Sequence, residues 1–439
     1  MKYTPKSVKN ALKKTISDIE KRKEYFVKDP QKDFRRIRKL PFSEMIYSIL
    51  SLSSKALKCE LMDSYGFHSN IPSVSAFVQQ RGKMSYTAFE TIFKTFTAKT
   101  KEQKLYKGYT LLAVDGSDLH TPTNPNDTDS YYPGTNGKKP YNLMHLNVLY
   151  DLMSNTYVDA IVQASHNANE HNAFVTMVDR YNSKVPAIYI ADRGYEAYNN
   201  LAHIQEKGRN FLIRIKDISG KGIASAVDLP KTDEYDVSLQ IQLTRKQTNA
   251  VKMDNTLRFI PHNSRFDYLP AHSEKCISIT PYIIPCRLVR LKISDDTYEM
   301  LITNLKSDVF SPADLKKLYA MRWGIETSFR TLKYTLGLIY FHSKKAEFIL
   351  QEIFAKLTMY NFAELITSHV VIRQKKRKCL YKVNFSASIH ICAKFLLKYM
   401  SPPEVEALIS RYLVPIRQCT SNSRKLSPKT AVSFLYRIA

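Results

Sequence analysis

Three acidic residues, Asp115, Asp192 and Glu326, are far apart in a chain of 439 residues, yet each lies where chemistry could be placed. Asp115 closes the apolar run of "YTLLAVDGSDL", Asp192 closes "PAIYIAD", and Glu326 lies within "YAMRWGIETSFRTLK". Hard divalent cations such as Mg²⁺ or Mn²⁺ prefer carboxylate oxygen, and two such ions about 3.5–4 Å apart can clamp a phosphodiester. Three carboxylates converging from two strands and a helix suit that arrangement. In the third stretch, a helical period of roughly 100° per residue puts Tyr319, Arg322, Glu326 and Lys333 in a sector of about 60°. Leu318, Ile325, Phe329, Leu332 and Leu336 fill the neighbouring sector. A solvated face would scatter its charges away from the core; this stripe runs along the edge of the core, where a cleft could open.

Each residue also has a plainer reading. Asp115-Gly116 and "DRG" at Asp192 are common turn sequences. Asp118 is a neighbouring acid three residues past the predicted strand end. Glu326 could be an i,i+4 partner of Arg322 or Arg330, which explains one pair but not the whole stripe. Arg193 suits a phosphate contact or an ion pair equally well. In "SHNANEH", His166 and His171 are five residues apart and do not share a helix face, so no zinc motif results, and Glu170 reads as a charge at a helix start.

The elements that would position the acids follow from periodicity. Residues 1–105 read as helices, with Met45, Ile46, Ile49, Leu50, Leu57 and Leu61 at helical spacing, Ser73 as an N-cap, and Phe77, Phe89 and Phe93 as core residues. From residue 106 the texture becomes strand-like. "YTLLAVDGSDL", "YNLMHLNVLYDL" and "TYVDAIVQAS" predict three strands, "NEHNAFVTMVDRY" a helix, "PAIYIADRGYEA" a strand, "NLAHIQEKG" a helix closed by Gly208, and "NFLIRIK" a strand. That order predicts an α/β fold with a ribonuclease-H-like core: a mixed sheet with helices on both faces. The first part of the core spans 106–217. A β-rich insertion spans 218–308, and its last strands could rejoin the main sheet. The second part of the core, 309–375, carries the striped helix, capped by Ser311 with Pro312 at its first position. A basic helical region, 376–439, follows the run "RQKKRK".

Lys and Arg number 66 against 40 Asp and Glu, a formal charge of +26. That excess opposes compaction and marks a polyanion partner. No apolar run approaches the roughly 20 residues of a spanning helix, so a membrane partner is not expected and nucleic acid in the cytoplasm is. The six cysteines form no C-x-x-C pair, which argues against a zinc ribbon or redox motif.

The spacing Tyr319-x2-Arg322-x3-Glu326-x6-Lys333 resembles the Y-R-E-K signature of the insertion-sequence-four family of bacterial DDE transposases. "VDGSDL" is similar to the family's first-aspartate strand, "IADRGY" to its second, and "ITNL" before the striped helix also fits. The resemblance covers roughly residues 70–370. It implies that Asp115, Asp192 and Glu326 hold two catalytic Mg²⁺ or Mn²⁺ ions. It also implies that Tyr319, Arg322 and Lys333 contact DNA near the scissile phosphate, Arg322 as a bidentate fork and Lys333 as a point charge. Members of the family cleave double-stranded DNA at transposon ends, in some cases through a hairpin, and join the 3′ hydroxyl to target DNA as a homodimer on two ends. A bacterial, nucleoid-associated location follows from the same resemblance. One departure is that better-known relatives stack a flipped base on tryptophan during hairpin formation. Here the single tryptophan is Trp323, inside the striped helix, so it is a candidate DNA contact. Tyr268 or Tyr282 of the insertion could serve instead.

Overall fold

The computed structural model describes residues 4–36, 39–101, 104–135, 137, 139–218, 220, 222–246, 249, 253, 257–270, 280–294, 297–371, 380–397 and 400–416. The run "RQKKRK" and Cys276, Cys379 and Cys419 lie outside them. Among the described residues, no helix is long and apolar enough to cross a membrane.

The N-terminal helices are α1 (Pro5–Glu20), α2 (Phe42–Ser51), α3 (Leu57–Ser64), α4 (Val74–Arg81) and α5 (Thr87–Lys99). Thr4 caps α1 in a capping box with Ser7, and Ser73 caps α4 by accepting from the Ala76 N–H. These side chains satisfy backbone donors that a helix start leaves open. The residues read as apolar stripes, from Met45 to Phe93, are all buried.

The sheet begins with β1 (Thr110–Thr121), β2 (Tyr131–Tyr132), β3 (Tyr141–Asp151) and β4 (Thr156–Ala164). Then come α6 (Glu170–Arg180), β5 (Ala187–Ala191), α7 (Tyr198–Glu206) and β6 (Asn210–Ile215). Gly208, at φ 60°, follows α7 in the left-handed conformation that ends helices. The predicted order of three strands, helix, strand, helix, strand is therefore present, with β2 added at an edge. β1, β5 and β6 run parallel, and β1, β3 and β4 alternate in direction.

One expectation changes. The strand that carries Asp115 does not end in an Asp-Gly turn. It continues to Thr121, with Asp118 paired to His145 across the β1–β3 ladder. Only the parallel neighbour stops, because its last pair is Val114 with Ala191. The insertion's last strands do rejoin the sheet, as the sequence allowed. β7 (Tyr235–Thr244), β8 (Leu257–Phe259), β9 (Tyr282–Ser294) and β10 (Thr297–Thr303) extend it, through β10 on β6, in the order β2-β3-β1-β5-β6-β10-β9-β7-β8.

Two apolar clusters cover the two faces of this sheet. One packs α6, α7 and the insertion's inner residues against residues such as Leu112, Tyr189 and Ile213. The other joins the N-terminal helices to the opposite face and to the C-terminal helices. Its centre is the helix Ala346–Thr367, which packs against α5, α2, α1 and β4. Apolar residues surround this helix on all sides, as expected of a fully buried one. The helix Phe385–Leu396 packs against it, and Tyr381–Val383 pairs with Leu413–Pro415 in a small ladder within the region expected to be wholly helical.

Charged groups also cross this core. Arg81 at the end of α4 is 1% exposed, and its guanidinium meets Glu352 Oε1 (2.9 Å), Gln351 Oε1 (2.8 Å) and the Phe348 carbonyl (2.6 Å). Glu352 also holds His342, whose Nδ1 is 3.0 Å from Oε2. Removing one partner of a buried pair strands the other charge. Arg81→Met is therefore expected to lower the unfolding free energy by about 3–5 kcal/mol in chemical denaturation. A loss no larger than a surface substitution gives would mean that the pair does not hold this junction.

Candidate active site at the strand ends

The β1–β5 register places Asp115 and Asp192 one residue past the last parallel pair, on adjacent strands. Backbone geometry fixes both carboxylates. Asp115 Oδ1 accepts from the Gly116 N–H at 2.9 Å. Asp192 is extended at φ −82°, ψ 172° and caps the short Arg193–Tyr195 turn by accepting from the Arg193 N–H at 2.7 Å. Glu326 arrives on the helix Trp323–Arg330, which packs on β1.

The stripe-bearing segment is not one uninterrupted α-helix. It runs as Pro312–Met321, breaks at Arg322, resumes as Trp323–Arg330 and ends in a π-turn at Thr331–Thr335. At the break, the Arg322 N–H bonds the Tyr319 carbonyl and the Ile325 N–H bonds the Arg322 carbonyl, both three residues back. Gly324 lies against the β3–β4 turn, where a Cβ would come 3.2 Å from Leu152. The apolar neighbours Leu318, Ile325, Phe329, Leu332 and Leu336 are buried, as the periodicity requires.

Arg322 is the hub of the cluster. It is 5% exposed, and its Nη2 is 2.8 Å from Glu326 Oε1. The plain i,i+4 pair is thus present, but the guanidinium charge also acts on Asp115 and Asp192. Tyr319, equally buried, donates its hydroxyl to Asp192 Oδ1 at 3.1 Å. Burial works against the Asp192 carboxylate, but the Arg193 N–H, Arg322 and Tyr319 hold it below the usual range. Asp115 goes the other way. Burial pushes its pKa up to about 6, with Glu326 and Glu170 adding repulsion, against opposing pulls from Gly116 and Arg322. The Arg322 Nε is buried with no hydrogen-bond partner. A buried guanidinium N–H left open in a carboxylate cluster is suited to an incoming acceptor such as a phosphate oxygen.

The remaining predicted residues surround this hub. Lys333 donates from Nζ to the Asp118 carbonyl at 2.8 Å, and burial lowers its pKa against the pull of Asp118 and Asp115. Trp323 is 58% exposed, with the Arg322 guanidinium 5.6 Å from its ring. Arg193 is exposed and engages Asp192 through its backbone. Tyr268 and Tyr282 stack on each other at 5.5 Å and pack onto α7, where Tyr282 donates to Glu206.

Periodicity did not single out His145. It lies on β3, buried, with Nδ1 2.7 Å from Asp118 Oδ1 and Nε2 3.0 Å from Glu170 Oε1. The available signal was a histidine within the apolar run "YNLMHLNVLYDL"; the register that aims it at β1 required the fold.

The donor set suits a hard divalent ion, since it is all carboxylate and Asp115 lacks a full counter-charge. Among the described residues, however, no three His, Cys, Asp or Glu side chains converge as a ready metal cage. Arg322 is the common counter-charge of the acids, so a cation binding there would share or displace that role.

The model of a family described as "Transposase DDE domain" matches residues 106–362. A search of curated proteins returned no match. Among solved structures, the chain is similar to a cryo-EM structure of a piggyBac transposase synaptic complex with hairpin DNA. The TM-score is 0.46 at 9% identity, covering 97% of this chain and 88% of that one. The family match runs from just before β1 to within the buried helix Ala346–Thr367 and takes in Asp115, Asp192 and Glu326. By that match, the chain belongs to the transposase DDE-domain family.

Proposed function

We propose that the protein is a DNA transposase of the insertion-sequence-four type. It binds the terminal inverted repeats of its element, cleaves DNA at the ends and joins the 3′ hydroxyls to target DNA. The observation that carries this reading is the placement of Asp115 and Asp192 side by side, one residue past the last pair of the parallel β1 and β5, with the Arg322–Glu326 ion pair on the helical segment packed against β1. The strand order β4-β3-β1-β5-β6, with α6 and α7 between strands, supports a ribonuclease-H-like core. In this reading 1–105 binds element ends, 106–217 and 309–375 form the core, 218–308 is its β-rich insertion, and 376–439 adds a basic surface.

DDE transposases generally use divalent metal ions. Here Asp115, Asp192 and Glu326 would hold Mg²⁺ or Mn²⁺, which when bound polarises the phosphodiester and activates the attacking oxygen. Tyr319 and Arg193 hold the Asp192 carboxylate in place. Arg322, with its open Nε, and Lys333 receive phosphate oxygens as DNA enters, and the exposed Trp323 ring lies beside that path. Two element ends call for two active sites, hence a homodimer on DNA. A catalytically silent DNA-binding regulator, or a nuclease that cleaves without joining, are the alternatives. Strand-transfer product from pre-cut ends separates the second, and cleavage itself separates the first.

Asp115→Ala, Asp192→Ala and Glu326→Ala are each expected to reduce cleavage of a supercoiled plasmid carrying matched ends by about 10³-fold, the upper range for losing one group that meets developing charge. End binding in a gel-shift assay should be retained. Normal cleavage by any one variant removes that residue from the site. Because phosphate neutralisation releases counterions, end affinity is expected to fall by about 10³-fold or more between roughly 50 and 200 mM salt. A flat salt response would argue against a phosphate-tracking surface.

A further inference from the structure

We propose that His145 is a positioning residue of the strand-end site. It clamps Asp118 of β1 to Glu170 of α6 across a notch over Gly116, and so fixes the backbone that carries Asp115. The inference rests on reading Asp115 as a group that holds a cation.

The geometry is specific. His145 faces Asp118 in the antiparallel β1–β3 register, and the imidazole lies between two carboxylates from different elements. Glu170 is the first residue of α6, so the ring ties that helix to the sheet. The Asp118 backbone carbonyl in turn accepts from Lys333 on the striped segment. A chain of contacts, Glu170 to His145 to Asp118 to Lys333, therefore joins α6, β3, β1 and the segment bearing Glu326. These elements surround Asp115, and their spacing sets how its carboxylate faces the others.

Gly116 shows how closely the ring is seated. A Cβ at Gly116 would lie 2.5 Å from His145 Nε2 and 3.0 Å from Glu170 Oε1, so only a residue without a side chain admits the imidazole here. A glycine inside a strand commonly marks such a close approach. The Gly116 N–H is also the donor that orients Asp115 Oδ1. The ring thus bears on the peptide that aims the carboxylate. Nδ1 is hydrogen-bonded to Asp118, whereas Nε2 lies within ion-pair distance of Glu170 Oε1 without hydrogen-bond geometry, a contact that a positive charge on the ring favours. Burial disfavours that charge, yet the nearby carboxylates of Glu170 and Asp118 outweigh it and raise the His145 pKa.

The test is Mn²⁺ binding to the full-length protein without DNA, measured by calorimetry and by the electron paramagnetic resonance of free Mn²⁺. The Asp115→Asn variant defines the site. His145→Ala is expected to weaken the Asp115-dependent Mn²⁺ affinity about tenfold or more, the usual cost of losing a group that orients a ligand. His145→Asn, which keeps one side-chain hydrogen bond, should recover part of it. Gly116→Ala should reproduce the loss, and Gly116→Ala combined with His145→Ala should melt higher than Gly116→Ala alone, because the clash is gone. Cys392→Ala, in a buried helix outside the site, should lower the melting temperature without changing Mn²⁺ affinity. Wild-type Mn²⁺ affinity in His145→Ala overturns the proposal, as does the absence of Asp115-dependent binding in the wild type. If the wild type binds Mn²⁺ in this His145-dependent way yet cuts no end-bearing DNA, the transposase reading falls and the positioning role stands.

Discussion

A buried guanidinium among carboxylates is the constraint on which the site depends. Asp115 and Asp192 end up side by side because β1 and β5 are parallel neighbours. Like charges on adjacent strand ends repel, and burial makes this worse by removing water. The Arg322 charge offsets the conflict from the helical side, and its ion pair with Glu326 compensates its own burial. Tyr319 takes up part of the remaining acceptor capacity of Asp192. The acids, the arginine and the tyrosine therefore need one another, and the break in the helix at Arg322 is where their demands meet.

The break and the π-turn mark a segment whose backbone follows contacts rather than an ideal period. An even helix would present Lys333 on the same line as Glu326. The π-turn at Thr331–Thr335 adds a residue to the turn, and Lys333 reaches across to the carbonyl of Asp118. π-bulges of this kind are frequent at functional sites. The spacing Tyr319, Arg322, Glu326, Lys333 thus reflects what the sheet offers opposite each position.

Much of this could be read from the chain alone. Alternation and apolar runs located the core strands, and Ser311-Pro312 and Gly208 marked helix ends through capping chemistry that is local in sequence. The acids stood out because each followed an apolar run or lay on a stripe. What could not be read depends on pairing between distant strands. Whether Asp-Gly is a turn or mid-strand depends on β3 continuing alongside β1 to Thr121, which no local signal states. Whether the insertion's last strands rejoin the sheet stays open in the sequence, because they resemble any short β segments; the β6–β10 ladder makes the join. His145 was invisible for the same reason.

The buried helix Ala346–Thr367 has a consequence for what counts as a unit of this protein. The family match stops at residue 362, within that helix, and begins at 106, after α1–α5. Yet α1, α2 and α5 lie on the helix, and Arg81 of α4 neutralises its Glu352. Excised along the boundaries of the family match, the remaining piece would expose an apolar rod whose Glu352 keeps His342 but has lost the Arg81 guanidinium. The stretch that matches the family and the stretch that packs as one core are different lengths of chain, so the helices before residue 106 are as much scaffold for the sheet bearing Asp115 as they are an appendage to it.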